Sequence, residues 1–125
     1  MSAHSNPQFP VYAPNKLWDK VDRALLDEAY GPRKAARWVE EGIVSLDAIP
    51  AAVELIIRDM RTPGDSERRN LRFSPQARDR IAKLQKRVEA FCADREMPTP
   101  DGLPSRVVRT AMYVRLSYSS KRSIV

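Results

Sequence analysis

Apolar positions along the chain recur mainly at the three-to-four-residue spacing of amphipathic helices. In the first half, this spacing predicts three short helices over residues 16–29, 32–41 and 51–60, and Gly42 is expected to end the second. In the second half, it predicts a long helix over residues 75–95 and a last helix over residues 105–118. The hydrophobic pattern therefore predicts a mainly α-helical protein.

Residues 68–73 alternate with a period of two instead, which predicts a β-strand. One face of this strand carries hydrogen-bonding side chains, namely Arg68, Asn70 and Arg72. The opposite face is mostly apolar and carries Arg69, Leu71 and Phe73. Ser74 and Pro75 are typical of the N-cap and first residue of a helix, so the strand is expected to end before them.

A lone strand cannot satisfy its backbone edges or bury its apolar face. No second strand is predicted, so we expect residues 68–73 to pair with the same residues of another copy, which makes the protein a homodimer. A two-stranded ribbon with arginine and asparagine on its outer face has a shape that suits the DNA major groove.

Proline and glycine positions predict the domain organisation. Residues 1–14 contain three prolines and no helical period, so we expect an extended or mobile arm. A small three-helix region follows over residues 15–61, and residues 62–66, Thr-Pro-Gly-Asp-Ser, predict a linker. The strand and the last two helices then form the DNA-binding domain, residues 67–118, and residues 119–125 form a tail.

The charge of the chain is strongly asymmetric. Residues 1–57 hold 6 Lys and Arg against 8 Asp and Glu, whereas residues 58–125 hold 16 against 8, so the net charges are −2 and +8. A basic second half favours a polyanionic partner, DNA or RNA, over a merely solubilising surface. The absence of a long apolar run, of a signal-peptide pattern and of a second cysteine predicts a cytoplasmic protein without membrane partners.

Enzymatic chemistry has little support in the sequence. The single histidine, His4, lies in the N-terminal arm, and the single cysteine, Cys92, has no histidine near it. No phosphate-binding, zinc-protease or Cys-x-x-Cys motif is present. We therefore expect neither catalytic residues nor a metal nor a cofactor.

Two motifs resemble the ribbon-helix-helix family of DNA-binding proteins. Residues 69–73, Arg-Asn-Leu-Arg-Phe, followed by Pro75, are similar to the strand of that family, and residues 105–111, Ser-Arg-Val-Val-Arg-Thr-Ala, are similar to the opening of its second helix. The resemblance covers residues 67–118. It implies a C-terminal ribbon-helix-helix with one short strand paired in a dimer and two helices, preceded by a small helical region.

The resemblance also implies roles for individual residues. Arg68, Asn70 and Arg72 would enter the major groove, where arginine holds guanine with two hydrogen bonds and asparagine holds adenine in the same way. The helix N-terminus at Ser105 would bind a phosphate through free backbone N–H groups. Further contacts to the DNA backbone are expected from Lys83, Lys86, Arg87 and Arg106.

The sequence thus predicts a dimeric, sequence-specific binder of double-stranded DNA. Three uses stay open: a transcriptional repressor that occludes a promoter, an accessory factor in plasmid or phage DNA processing whose residues 15–61 recruit a protein partner, and an antitoxin. The alternative from another class is a non-enzymatic, all-helical subunit of a nucleoprotein assembly. In that case the arginines would grip RNA or DNA backbone without reading bases.

Overall fold

The computed structural model describes residues 7–31, 34–59 and 66–124. Two strands and five helices lie within this part of the chain. Their bounds are β1 Phe9–Pro14, α1 Asn15–Asp27, α2 Ala35–Asp47, α3 Ala52–Arg58, β2 Ser66–Leu71, α4 Pro75–Asp94 and α5 Leu103–Ile124. The order of a strand followed by helices therefore occurs twice, once in each half of the chain.

The two strands form one antiparallel ribbon within a single chain. Tyr12 lies opposite Arg68, and Pro10 lies opposite Asn70. The predicted C-terminal ribbon-helix-helix, with its strand paired in a dimer, is therefore wrong. The N-terminal segment supplies the missing strand, so the physical reason for expecting an obligate homodimer through residues 68–73 no longer holds.

Two prolines obscured β1 in the sequence, yet they fit its geometry. The backbone N–H of Tyr12 donates to Ser105 Oγ at 3.1 Å, and its carbonyl accepts from Arg109 Nη1 at 2.5 Å, so both groups face α5 and not β2. Pro10 and Pro14 each lie two residues from Tyr12, so their backbone nitrogens point in the same direction as that of Tyr12, away from the hydrogen bonds to β2. A proline on that side of a strand removes no ladder hydrogen bond.

The junction between β2 and α4 matches its prediction. Ser74 is the N-cap of α4, its Oγ accepts from the backbone N–H of Ala77, and Pro75 occupies the first turn. Glu40 of α2 accepts further bonds at 3.0 Å from the Ser74 backbone N–H and hydroxyl. The cap therefore also joins α4 to the first half of the chain.

The principal helix contact of the fold is between α2 and α5. Gly42, which was expected to end its helix, lies buried inside α2. A Cβ atom there would lie 2.3 Å from the backbone oxygen of Ala111 and 3.0 Å from Cβ of Arg115. The glycine is therefore a packing residue that lets the two helix backbones approach, and α2 continues to Asp47.

Buried ion pairs accompany this contact. Arg115 of α5 is 5% exposed and donates to Glu28 at 2.5 Å and to Glu41 at 2.9 Å. Tyr30 donates its hydroxyl to the same Glu41 at 2.6 Å, which raises the pKa of the tyrosine because the carboxylate stabilises its neutral form. Charged groups of the first half thus compensate a buried arginine of the second half.

A single hydrophobic core contains side chains from both strands and all five helices. Trp18, Trp38 and Phe73 are its largest fully buried members. The same core joins elements that precede and follow the predicted linker; Ser66 is the first residue of β2, and the rest of that linker, residues 62–65, lies outside the described residues. At the other end, α5 extends through most of the predicted tail to Ile124. Among the described helices, none combines the length and apolar character that crossing a membrane requires.

Candidate nucleic-acid interface

The outer face of the β1–β2 ribbon is the candidate interface. Arg68, Asn70 and Arg72 are all exposed there, on alternate positions of β2 and the residues that follow it. β1 adds Pro10 and Tyr12 to the same face. Gln8, which precedes β1, accepts a 3.3 Å hydrogen bond from the side-chain amide of Asn70.

Arg69 points to the opposite face and serves the fold. Its guanidinium binds the Asp22 carboxylate at 2.8 and 3.1 Å and Glu67 at 2.7 Å. It also lies over the ring of Trp18, with the guanidinium carbon 4.8 Å from the ring centroid. Donation to Asp22 raises the pKa of this arginine further above its already high value, so it stays charged and paired.

Aromatic contacts hold the ribbon against the helices. Trp18 of α1 donates its indole N–H to the carbonyl of Glu67 in β2 at 2.8 Å. Phe73 is fully buried, and its ring meets that of Phe9 edge to face at a centroid distance of 5.4 Å. Both strands are thus fixed from below, which presents their outer side chains on a rigid support.

Ser105 and Arg106 do not lie at a free helix end. Because α5 begins at Leu103, Ser105 is already inside the helix, where it is buried and accepts from Tyr12. Arg106 donates to three backbone carbonyls, those of Asp101 at 3.0 Å, Ile57 at 3.3 Å and Asp59 at 2.6 Å. These side chains join α5 to β1 and to the end of α3, and the expected binding of a phosphate by the backbone N–H groups near Ser105 stays a prediction.

The basic residues of α4 lie on an exposed helix face but apart from the ribbon. Lys83 and Lys86 are exposed, and Arg87 lies 3.5 Å from Asp47, which also pairs with Arg80 at 3.1 Å. Lys83 follows Pro75 by about 12 Å along the helix, given the rise of about 1.5 Å per residue. These side chains form a basic flank that leads away from the ribbon.

Part of the basic excess in the second half is neutralised inside the fold. Arg69 is bound to Asp22 and Arg115 to Glu28, two acidic groups of the first half. Arg109 also forms a buried pair, at 2.7 Å with Asp59 and with side chains only 3% and 4% exposed, but both residues belong to the second half and are already counted in its net charge. The sequence charge therefore overstates the positive charge that reaches the surface.

Sequence reasoning missed the contribution of β1. A signal was present, because Phe9, Val11 and Ala13 alternate with Pro10 and Tyr12 in the way that strand residues do. Lys16 and Lys20 were also missed; both are exposed on α1, which begins directly after β1. The exposed Pro10 and Tyr12 of β1 widen the candidate interface beyond β2.

Comparisons with protein-family models, with curated proteins and with solved structures each find no significant match. The resemblance of residues 67–118 to the ribbon-helix-helix family therefore stays a hypothesis. In the part of the chain described here, no group of three or more His, Cys, Asp or Glu side chains is arranged to hold a metal ion.

Proposed function

We propose that this chain binds double-stranded DNA sequence-specifically, with the outer face of the β1–β2 ribbon in the major groove. The observation that carries the proposal is the exposure of Arg68, Asn70 and Arg72 on one face of a rigidly supported two-stranded ribbon. A ribbon of this kind fits the width of the major groove.

The chemistry of the three side chains suits base reading. Alternate residues of a strand lie about 6.6–6.8 Å apart, which is close to two base-pair steps of B-DNA. Arginine at two such positions offers a rigid fork to guanine, and the amide between them offers a donor and an acceptor to adenine. Gln8 supports Asn70 by accepting from its amide nitrogen.

Such a protein would act without catalysis, by occupying its site in the cytoplasm. Repression by occlusion of a promoter is the simplest use. A role as an accessory factor in plasmid or phage DNA processing needs a protein partner as well. The exposed apolar side chains Leu26 on α1 and Val44 on α2, 77% and 49% exposed, offer contacts for that partner within residues 15–61.

Asn70→Ala tests the proposal. Gel-shift affinities would be measured on a site selected from random DNA and on a scrambled duplex, at two salt concentrations. We expect a loss of about 1–3 kcal/mol on the selected site, because one bidentate base contact is removed. Affinity for the scrambled duplex should stay constant, because asparagine carries no charge. Gln85→Ala, which also removes a neutral amide and lies on α4, is the matched control.

The second candidate is a protein that grips nucleic-acid backbone without reading bases, and the exposed Lys83 and Lys86 favour it. Lys86→Ala should then weaken binding equally on every sequence and reduce the salt slope by about one. Equal losses on both duplexes for Asn70→Ala, or none on either, would refute base reading by the ribbon and leave this candidate.

A further inference from the structure

We infer that a single chain reads a non-palindromic DNA site, an inference that rests on the proposed function. A ribbon built from two copies of one strand shows the same side chains twice, related by a two-fold axis. Here both strands come from one chain and differ in sequence, so the ribbon has no such symmetry. The DNA sequence that it prefers should have none either.

The two strands offer different chemistry to the groove. β2 and the residue after it present two guanidinium groups and an amide, from Arg68, Arg72 and Asn70. β1 presents the ring of Tyr12, 40% exposed and opposite Arg68, and the ring of Pro10, opposite Asn70. Guanidinium and amide groups read hydrogen-bonding base edges, whereas apolar rings contact the thymine methyl group. Base contacts should therefore concentrate under β2 on one side of the site.

The edge of β1 that does not pair with β2 is unable to accept a strand from a second copy of the chain. Ser105 and Arg109 bind the N–H and carbonyl of Tyr12, and Pro10 has no N–H to offer. A second chain therefore cannot extend the sheet through β1 without breaking these bonds. Binding of two chains across the edge of β2 would restore a two-fold axis and a palindromic site, so that arrangement is the competing outcome.

The test combines two measurements on the full chain. Sequences bound by the protein are selected from random duplex DNA, and native mass spectrometry then gives the number of chains on the selected site. We expect a non-palindromic motif and one chain per duplex. Asn70→Ala should reduce the preference for particular bases by about 5- to 150-fold, the equivalent of 1–3 kcal/mol, at one group of adjacent base pairs in the motif. It should not do so at two groups related by symmetry.

Tyr12→Ala should relax preference at a different cluster, on the β1 side of the same motif. Tyr12→Phe keeps the ring and should keep that preference, and circular dichroism checks that each variant is folded. A palindromic motif occupied by two chains would overturn the inference and leave the proposed function standing. Failure to enrich any motif, with binding that depends only on salt, would overturn the proposed function itself.

Discussion

β1 and β2 pair with each other but differ in their contacts and in the side chains that they expose. β1 is bonded along both edges, to β2 on one side and to Ser105 and Arg109 on the other. β2 carries exposed polar side chains: Arg68 and Asn70 point outward, and Arg69 is bound to Asp22 on the opposite face. β1 thus contributes the contacts with α5, and β2 presents most of the polar side chains of the outer face, so variants in each should fail in different ways.

Removal of β1 should have the largest effect. Deletion of residues 1–14 takes away the ladder partner of β2, the buried Val11 and Ala13, and the ring that packs on Phe73. We expect the rest of the chain to lose cooperative unfolding, measured by thermal circular dichroism. Deletion of residues 1–6 keeps all of β1 and is the control. A cooperatively folded product of the longer deletion would show that β2 needs no partner from this chain.

Arg109→Met should cost about 3–5 kcal/mol of unfolding free energy, because it leaves the Asp59 carboxylate buried without its partner and frees the Tyr12 carbonyl. Urea unfolding measures the loss. The double variant Arg109→Met with Asp59→Leu removes both charges and should recover much of the stability. If the single variant proves as stable as the original chain, α5 does not clamp β1.

Gly42→Ala should destabilise the protein by about 1–3 kcal/mol, because its Cβ would collide with the Ala111 backbone and force apart the two helices that join the halves. Gly31→Ala is the matched control, since no atom lies within 4 Å of the added Cβ. The two melting temperatures are compared directly. Equal temperatures would mean that α2 and α5 do not approach at this glycine.

Trp18→Phe should have the most local effect, because it removes the hydrogen bond to the Glu67 carbonyl, worth about 1 kcal/mol, and leaves a small cavity beneath the ribbon. Hydrogen exchange should speed up at the β2 amides. Trp38→Phe removes a comparable bond, to the side chain of Glu28, and should leave those amides protected. Faster exchange in β2 for both variants would indicate general loosening instead of a specific contact beneath the ribbon.

The helices were largely predictable because their apolar stripes are local features. The cap at Ser74 and the extent of α4 follow from neighbouring residues, and both agree with the structure. The pairing of β1 with β2 was not predictable in the same way. It joins segments more than fifty residues apart, and Pro10 and Pro14 hide the strand from any reading based on propensity. Gly42 was misread because a glycine that ends a helix and one that admits a neighbouring helix look alike in sequence.

The candidate interface also contains residues that a local pattern predicts and residues whose roles depend on tertiary contacts. The outward positions of Arg68, Asn70 and Arg72 follow from strand alternation, so the sequence was enough to find them. The internal roles of Ser105 and Arg106 depend on tertiary partners, Tyr12 and the end of α3, which no local pattern reveals. Charge counting by halves overstated the positive charge for the same reason, because Arg69 and Arg115 are paired with Asp22 and Glu28 of the first half.

The closed edge of β1 has a consequence for synthesis of the protein. Tyr12 leaves the ribosome well before its partner Arg109, which lies 97 residues later in the chain. At translation rates of about 5–20 residues per second, β1 waits roughly 5–20 seconds for that partner. During this interval an ordinary strand edge would be a template for aggregation. Pro10 and Pro14 remove two donors from this edge, so the residues that disguise the strand also make that edge a poorer template for pairing.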